Sequence, residues 1–407
     1  MEIQEKMYWM ALQAGINEHV FHIAKQIVAQ YGSVASFWRA RDSARLSGVS
    51  DTVREKLILA RKRIYPEKLW DMCRQKKIEA VCCIEEGYPK ELLHFPDCPV
   101  ILYYYGRVSL MNRPSAAIVG SRRSTAYGRK IAADFAKAFA EAGLCVVSGM
   151  AKGIDAAAHE GALSVHGDTV AVLGSGVDVP YPPENRRLYQ QIKDEGLVVS
   201  EFIPGDKPAE WHFPLRNRII SGLSRFVLLA EGEARSGALI TCGWAAEQGK
   251  DVWAAPGPVT NPFSIGPLLL IRDGAMMAIT PADILTAYGW GTGDPTAEDL
   301  HKYSNGQRRR EAAAPPGNVR LRDISKQGRR EQQALFQAEN KTGAALSPGE
   351  KKLLASISYY PVHIDGLIAL HNEARREKAE GSLYMDLTKL LSLRLIEKLA
   401  GDYYQRI

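Results

Sequence analysis

The chain predicts an α/β protein: an extended Rossmann-like, doubly wound parallel sheet, with an N-terminal helical module and a C-terminal winged-helix-like domain. Three observations carry this. Between residues 114 and 290, six short apolar runs alternate with amphipathic helical stretches, the pattern of parallel strands covered on both faces. Before residue 110 the apolar residues recur at helical spacing. After residue 346 come three helical stretches and then a hairpin pattern. The domain limits read as 1–110, 111–290, 291–346 and 347–407.

Composition sets the outer bounds. The 407 residues suffice for two or three domains with their own cores, and 46% hydrophobic with 24% charged residues is ordinary for a soluble protein. A net charge of +6 permits a polyanionic partner without demanding one. The six cysteines form no Cys-x-x-Cys pair, and Cys145 and Cys242 sit inside apolar runs. A reduced compartment fits better than a disulfide scaffold. The N-terminus lacks the order of a signal peptide, and no apolar run reaches the roughly 20 residues that span a bilayer. The expectation is a cytoplasmic protein with no membrane insertion.

In the N-terminal module, Val20, Ile23, Ala24, Ile27 and Val28 mark a helix, and the rest up to residue 110 reads as helical and then irregular. Ala44 to Ser50 reads as a helix, a turn centred on Gly48 and a new helix start. That turn resembles the hairpin of helix-hairpin-helix modules, whose N–H groups hold a phosphate. A plain turn between packed helices is the more ordinary reading, because glycine just past a helix end is routine.

In the central domain the predicted strands are Ala116–Val119, Leu144–Val147, Thr169–Leu173, Leu197–Val199, Phe226–Leu229 and Val252–Ala255. Residues 291–346 read as a basic linker expected to be disordered, with Arg308-Arg309-Arg310 and Arg329-Arg330. In the tail, helices are expected over Gly349–Ser358, Ile364–His371 and around Leu383–Leu391. The stretches Leu395–Leu399 and Tyr403–Gln405 flank Ala400-Gly401-Asp402 as a hairpin. The third helix offers mainly Lys389 and Arg394, so groove reading and protein docking both stay open.

Ligands of open parallel sheets bind beyond the C-terminal strand ends, so the following loops are the candidates. The first is Gly120-Ser121-Arg122, where glycine lets the backbone approach and the next two residues donate. The second contains Gly149 and Lys152 and leads into a helix, whose N-terminus favours an anion. The third starts at Gly174. Glu231 ends a later strand, and Ser236-Gly237 opens the helix after it. Before the fifth strand, Phe213-Pro214-Leu215-Arg216-Asn217-Arg218 opens an apolar helix. Its arginines suit phosphates and its phenylalanine suits a base. Together these loops predict a phosphate-bearing ligand.

Several chemistries lose ground. Neither Gly-x-Gly-x-x-Gly nor the P-loop pattern occurs, which counts against NAD and ATP, and no cofactor is expected. Asp155 and His159 have the i, i+4 spacing of a metal pair, yet no second ligand cluster accompanies them, so no metal is expected. No Ser-His-Asp arrangement stands out, and Ser121 and Ser175 read as phosphate contacts.

These motifs resemble the DNA-processing protein A (DprA/Smf) family. The resemblance runs from Tyr88-Pro89-Lys90-Glu91-Leu92 and Val100–Tyr103 through Gly120-Ser121-Arg122, Ser148–Asp155, Ala171–Gly174 and Tyr181-Pro182. It continues through Ser200-Glu201, Phe213–Arg218, Ser236–Thr241 and Ala255-Pro256-Gly257. The flanking modules match the longer form of the family. Two departures stand out: Gly266–Leu270 lacks the family's asparagine, and Gly232 replaces its usual alanine.

The resemblance implies a non-catalytic protein of natural transformation that binds incoming single-stranded DNA, displaces or coexists with single-strand binding protein, and loads the RecA recombinase as a homodimer. It places Gly120, Ser121, Arg122, Gly149, Lys152, Gly174, Phe213, Arg216, Asn217 and Arg218 along a DNA groove. Salt-sensitive binding with little sequence preference should follow. The alternative is a nucleotide-cleaving Rossmann-like hydrolase of the phosphoribohydrolase type, with Glu231 as the assisting carboxylate. Its Pro-Gly-Gly-x-Gly-Thr-x-x-Glu signature is missing, because Pro256-Gly257 leads to Pro258.

Overall fold

Alternating buried runs and helices do build one large sheet. The computed structural model describes residues 3–16, 20–40, 46–290, 362–363, 396–399 and 403–406. The chain divides into two compact units, Met1–Ser325 and Lys326–Ile407.

The first unit opens with α1 (Ile3–Gly15), α2 (Val20–Tyr31), α3 (Val34–Arg39), α4 (Asp51–Arg63) and α5 (Pro66–Gln75). Val20, Ile23, Ala24 and Ile27 form the buried stripe of α2 as their spacing predicts. At the turn before α4, the Ser47 N–H donates to Gln30 and the Gly48 carbonyl accepts from Gln26. Two of the turn's backbone groups are thus taken by α2. Residues 41–45, at the start of the predicted hairpin, lie outside the described residues.

The sheet then forms from β1 (Glu79–Cys82), β2 (Ile101–Gly106), β3 (Ser115–Gly120), β4 (Cys145–Ser148), β5 (Thr169–Val172), β6 (Leu197–Ser200), β7 (Phe226–Glu231), β8 (Asp251–Ala254) and β9 (Met276–Met277). Between them lie α6 (Ala126–Glu141), α7 (Ile154–Leu163), α8 (Arg186–Glu195), α9 (His212–Leu223), α10 (Ala238–Glu247) and α11 (Ile265–Arg272), and α12 (Pro281–Ala287) follows. The strand order is β1-β2-β6-β5-β4-β3-β7-β8-β9. All pairings from β6 to β9 are parallel. Strand alternation feeds both faces: Ala116, Ile118, Phe226 and Leu228 face one core, while Ala117, Val119, Val227 and Leu229 face the other.

The six predicted strands are β3 to β8. The reading of the stretch before residue 110 as helical and then irregular needs correction, because β1 and β2 pair antiparallel and extend the sheet through β6. These strands stand outside the strand–helix alternation. The four residues of β1 carry no clear period, and β2 is tyrosine-rich, with Tyr103 fully buried. The two-residue β9 gives no sequence signal at all.

Gln13 of α1 ties the helical module to this antiparallel end. Its amide donates to the carbonyls of Ile101 (2.8 Å) and Glu201 (2.6 Å) and accepts from the Ile101 N–H (2.8 Å). In the centre, the buried His159 of α7 donates from Nδ1 to Thr169 Oγ1 on β5 (2.7 Å). The Thr169 hydroxyl passes its own proton to the Val146 carbonyl (2.8 Å). That chain makes Nδ1 the proton-bearing nitrogen. Burial, and secondarily the Arg216 charge, lowers the imidazole pKa to about 3.

The second unit holds β10 (Val362–His363), β11 (Ile396–Leu399) and β12 (Tyr403–Arg406), in the order β10-β12-β11. The predicted hairpin is the antiparallel pair β11–β12. The three tail helices and the linker 291–346 lie outside the described residues.

Replacing Gln13 with alanine leaves three buried backbone groups without partners, and should cost about 3 kcal/mol in a urea unfolding titration. A midpoint equal to wild type would show the amide to be dispensable. The unfolded chain protonates His159 near pH 6.5 and the folded chain only near 3, so between these values the unfolded state holds more protons. Stability therefore falls as pH falls through this window, by up to about 1.4 kcal/mol per pH unit from this group. His159→Gln should flatten the stability–pH curve between pH 6.5 and 4 relative to wild type.

Candidate nucleic-acid interface

The direction of winding reverses beside β3. The chain runs from β3 to β4, β5 and β6 on one side, then returns to place β7, β8 and β9 on the other. Loops at such a reversal diverge and leave a crevice at the C-terminal strand ends. A cavity of about 580 Å³ lies there, walled by Gly120–Arg123 after β3, by Glu233 and Ser236–Ala238 after β7, and by the start of α9.

One face of α9 supplies the wall. Phe213, Arg216, Asn217 and Ile220 line the cavity at helical i, i+3, i+4, i+7 spacing. Arg216 is only 4% exposed. Its guanidinium donates to the carbonyls of Gly149 (2.7 Å) and Val172, at the ends of β4 and β5. A Cβ on residue 149 would stand 2.5 Å from Arg216 Nη2, so only glycine clears this side chain. Burial lowers the Arg216 pKa to about 10, against the pull of the Asp155 carboxylate. Asp155 in turn accepts from the N–H groups of Gly149 (3.1 Å) and Ala151 (3.2 Å). Burial raises its pKa, opposed by Arg216.

The opening of the cavity is aromatic and cationic. Exposed Arg122 lies over the Phe213 ring, 4.7 Å from its centroid, and Tyr181 lies on the same ring at 5.6 Å. Among the described residues no carboxylate pairs with Arg122. Phe213 in turn needs residue 174 to be glycine, because a Cβ there would stand 2.8 Å from its ring. Next to it, His212 stacks on Phe202 at 3.8 Å and donates from Nδ1 to the Gly174 carbonyl (3.0 Å). The first turn of α9 is therefore held against the loop after β5.

Of the ten expected groove residues, Gly120, Ser121, Arg122, Phe213, Arg216 and Asn217 line the cavity together. Gly149, Lys152, Gly174 and Arg218 do not. Arg218 follows Arg216 by two residues, which on a helix turns it to the opposite face. There it pairs with buried Glu201 at 2.5 Å. Lys152 is half-exposed and pairs with Glu184 on the surface. Gly149 and Gly174 provide clearance beneath the wall.

The expected set left out several polar and aromatic lining residues, among them Tyr181, Arg123, Glu210 and Glu233. Tyr181 carried a signal, as an aromatic residue before proline just after a glycine-rich loop. The Glu231 carboxylate caps α6, accepting from the Thr125 N–H (2.8 Å) and hydroxyl (2.7 Å), and it is 1% exposed. Asp155 and His159 gather no third ligand, and among the described residues no cluster suited to a metal occurs. No described helix is long and apolar enough to cross a membrane.

Known proteins resemble this chain in sequence and fold. The profile of the DNA recombination-mediator protein A family matches residues 79–289, just over half of the chain and the whole of the sheet. Protein Smf of Synechocystis sp. is 32% identical over the full length of both chains. DNA processing protein DprA of Streptococcus pneumoniae is 43% identical over 213 residues, 52% of this chain and 75% of that one. The X-ray structure of DNA processing protein A from Streptococcus pneumoniae superposes with a TM-score of 0.60 at 34% identity, covering 70% of this chain and 98% of that one. A profile match across the sheet that forms the crevice, and a relative aligned from end to end, place this chain in the DNA recombination-mediator protein A family, whose members are called DprA and Smf.

Proposed function

We propose that this protein binds single-stranded DNA in the crevice at the β3–β7 reversal and hands it to the RecA recombinase. The observation that carries the reading is the unpaired Arg122 guanidinium over the Phe213–Tyr181 ring pair. A phosphate suits the Gly120–Arg122 loop, and a base suits the rings. Only an unpaired base presents a free face for stacking, which favours a single strand over a duplex.

In this reading the protein acts as a homodimer, displaces or coexists with single-strand binding protein, and performs no bond cleavage. The engagement of Glu231 with Thr125 at the start of α6 supports this reading over a phosphoribohydrolase, which would use that carboxylate. The β11–β12 hairpin is read as the wing of a winged-helix-like unit that docks a partner.

Fluorescence anisotropy with a labelled oligothymidylate tests the site. Arg122→Ala should weaken binding and lower the salt slope by about 0.7. Phe213→Ala should cost about 1–3 kcal/mol without changing that slope. Normal binding by both variants would remove the assignment, and equal wild-type affinity for duplex would remove the single-strand preference. Assembly of RecA filaments on DNA coated with single-strand binding protein, followed in parallel, should be stimulated by wild type and not by Arg122→Ala.

A further inference from the structure

The crevice contains a group that a phosphate-binding groove does not need. Three carboxylates line it: Asp155, Glu233 and Glu210. Asp155 is buried and holds backbone N–H groups. Glu233 pairs with Arg123 at 2.9 Å. Glu210 is exposed, and among the described residues no cation pairs with it. It stands three residues ahead of Phe213, on the approach to α9.

A carboxylate repels phosphate, so its favourable contacts are with N–H donors. In single-stranded DNA these lie on the base edges. Thymine offers one ring N–H, and adenine and cytosine one exocyclic amine. Guanine offers a ring N–H and an amine side by side, the paired donor geometry that two carboxylate oxygens accept together. Glu210 lines the same crevice as the Phe213 and Tyr181 rings, where a stacked base would present its edge.

We propose that Glu210 gives this site a preference for guanine at the stacked position, within binding that is otherwise blind to sequence. The proposal rests on the single-strand reading above. It makes Glu210 a specificity-determining residue that lowers overall affinity while favouring one base.

The test uses the full chain and four labelled 16-mers in lithium buffer, which suppresses guanine self-association. They are oligothymidylate and the same strand with guanine, inosine or adenine at every fourth position. Inosine keeps the ring N–H and lacks the amine. Wild type should bind the guanine strand roughly tenfold tighter than oligothymidylate, with inosine between them. Glu210→Ala should bind oligothymidylate more tightly than wild type at low salt and lose the ranking. Equal wild-type affinities, or a ranking that survives Glu210→Ala, would overturn the proposal and leave the single-strand reading intact. Failure of wild type to bind any strand would overturn both.

Discussion

The crevice depends on one buried charge. Arg216 reaches from α9 to the carbonyls that end β4 and β5, and so locks a helix to the sheet edge where the cavity opens. Burying a guanidinium costs several kcal/mol unless its donors are satisfied. Hydrogen bonds from a charged group return about 1.5–3 kcal/mol each. Here the donors meet two carbonyls and the Asn217 side chain, while Asp155 supplies opposite charge nearby. The absent side chain at Gly149 is part of the same solution. Because this arginine fixes the helix, Phe213 one turn earlier has a fixed ring for Arg122 and Tyr181 to meet.

This division of labour among neighbouring arginines explains why one sequence motif serves two ends. Arg216 and Arg218 look alike in the sequence, yet helical geometry sends them to opposite faces. One forms the floor of the crevice and the other joins Glu201 in a buried ion pair on the far side of α9. Arg122, from a separate loop, is the exposed cation of the three. In the proposed reading a phosphate meets the exposed one, while the buried pair sets the shape it meets.

Much of the fold was legible because parallel strands buried on both faces leave continuous apolar runs, and all six such runs are strands of the sheet. The antiparallel edge was not, because β1 and β2 lie outside that alternation and carry no period of their own. Six of the ten expected site residues share the cavity, since strand-end loops and one helix face are readable from spacing. The places of the other four are set by tertiary packing. Clearance at Gly149 and Gly174, the pairing of Lys152 and the turning of Arg218 are tertiary facts that loop composition does not carry.

The attachment of the helical module through Gln13 has a further consequence. Gln13 grips β2 and the residue just after β6, and β5 and β4 lie between β6 and β3. At about 4.8 Å per strand, the attachment sits about 14 Å across the sheet from the strand that feeds the crevice. The two ends are nonetheless joined, because Gln13 donates to the Glu201 carbonyl and the Glu201 carboxylate pairs with Arg218 on α9, the helix that walls the crevice.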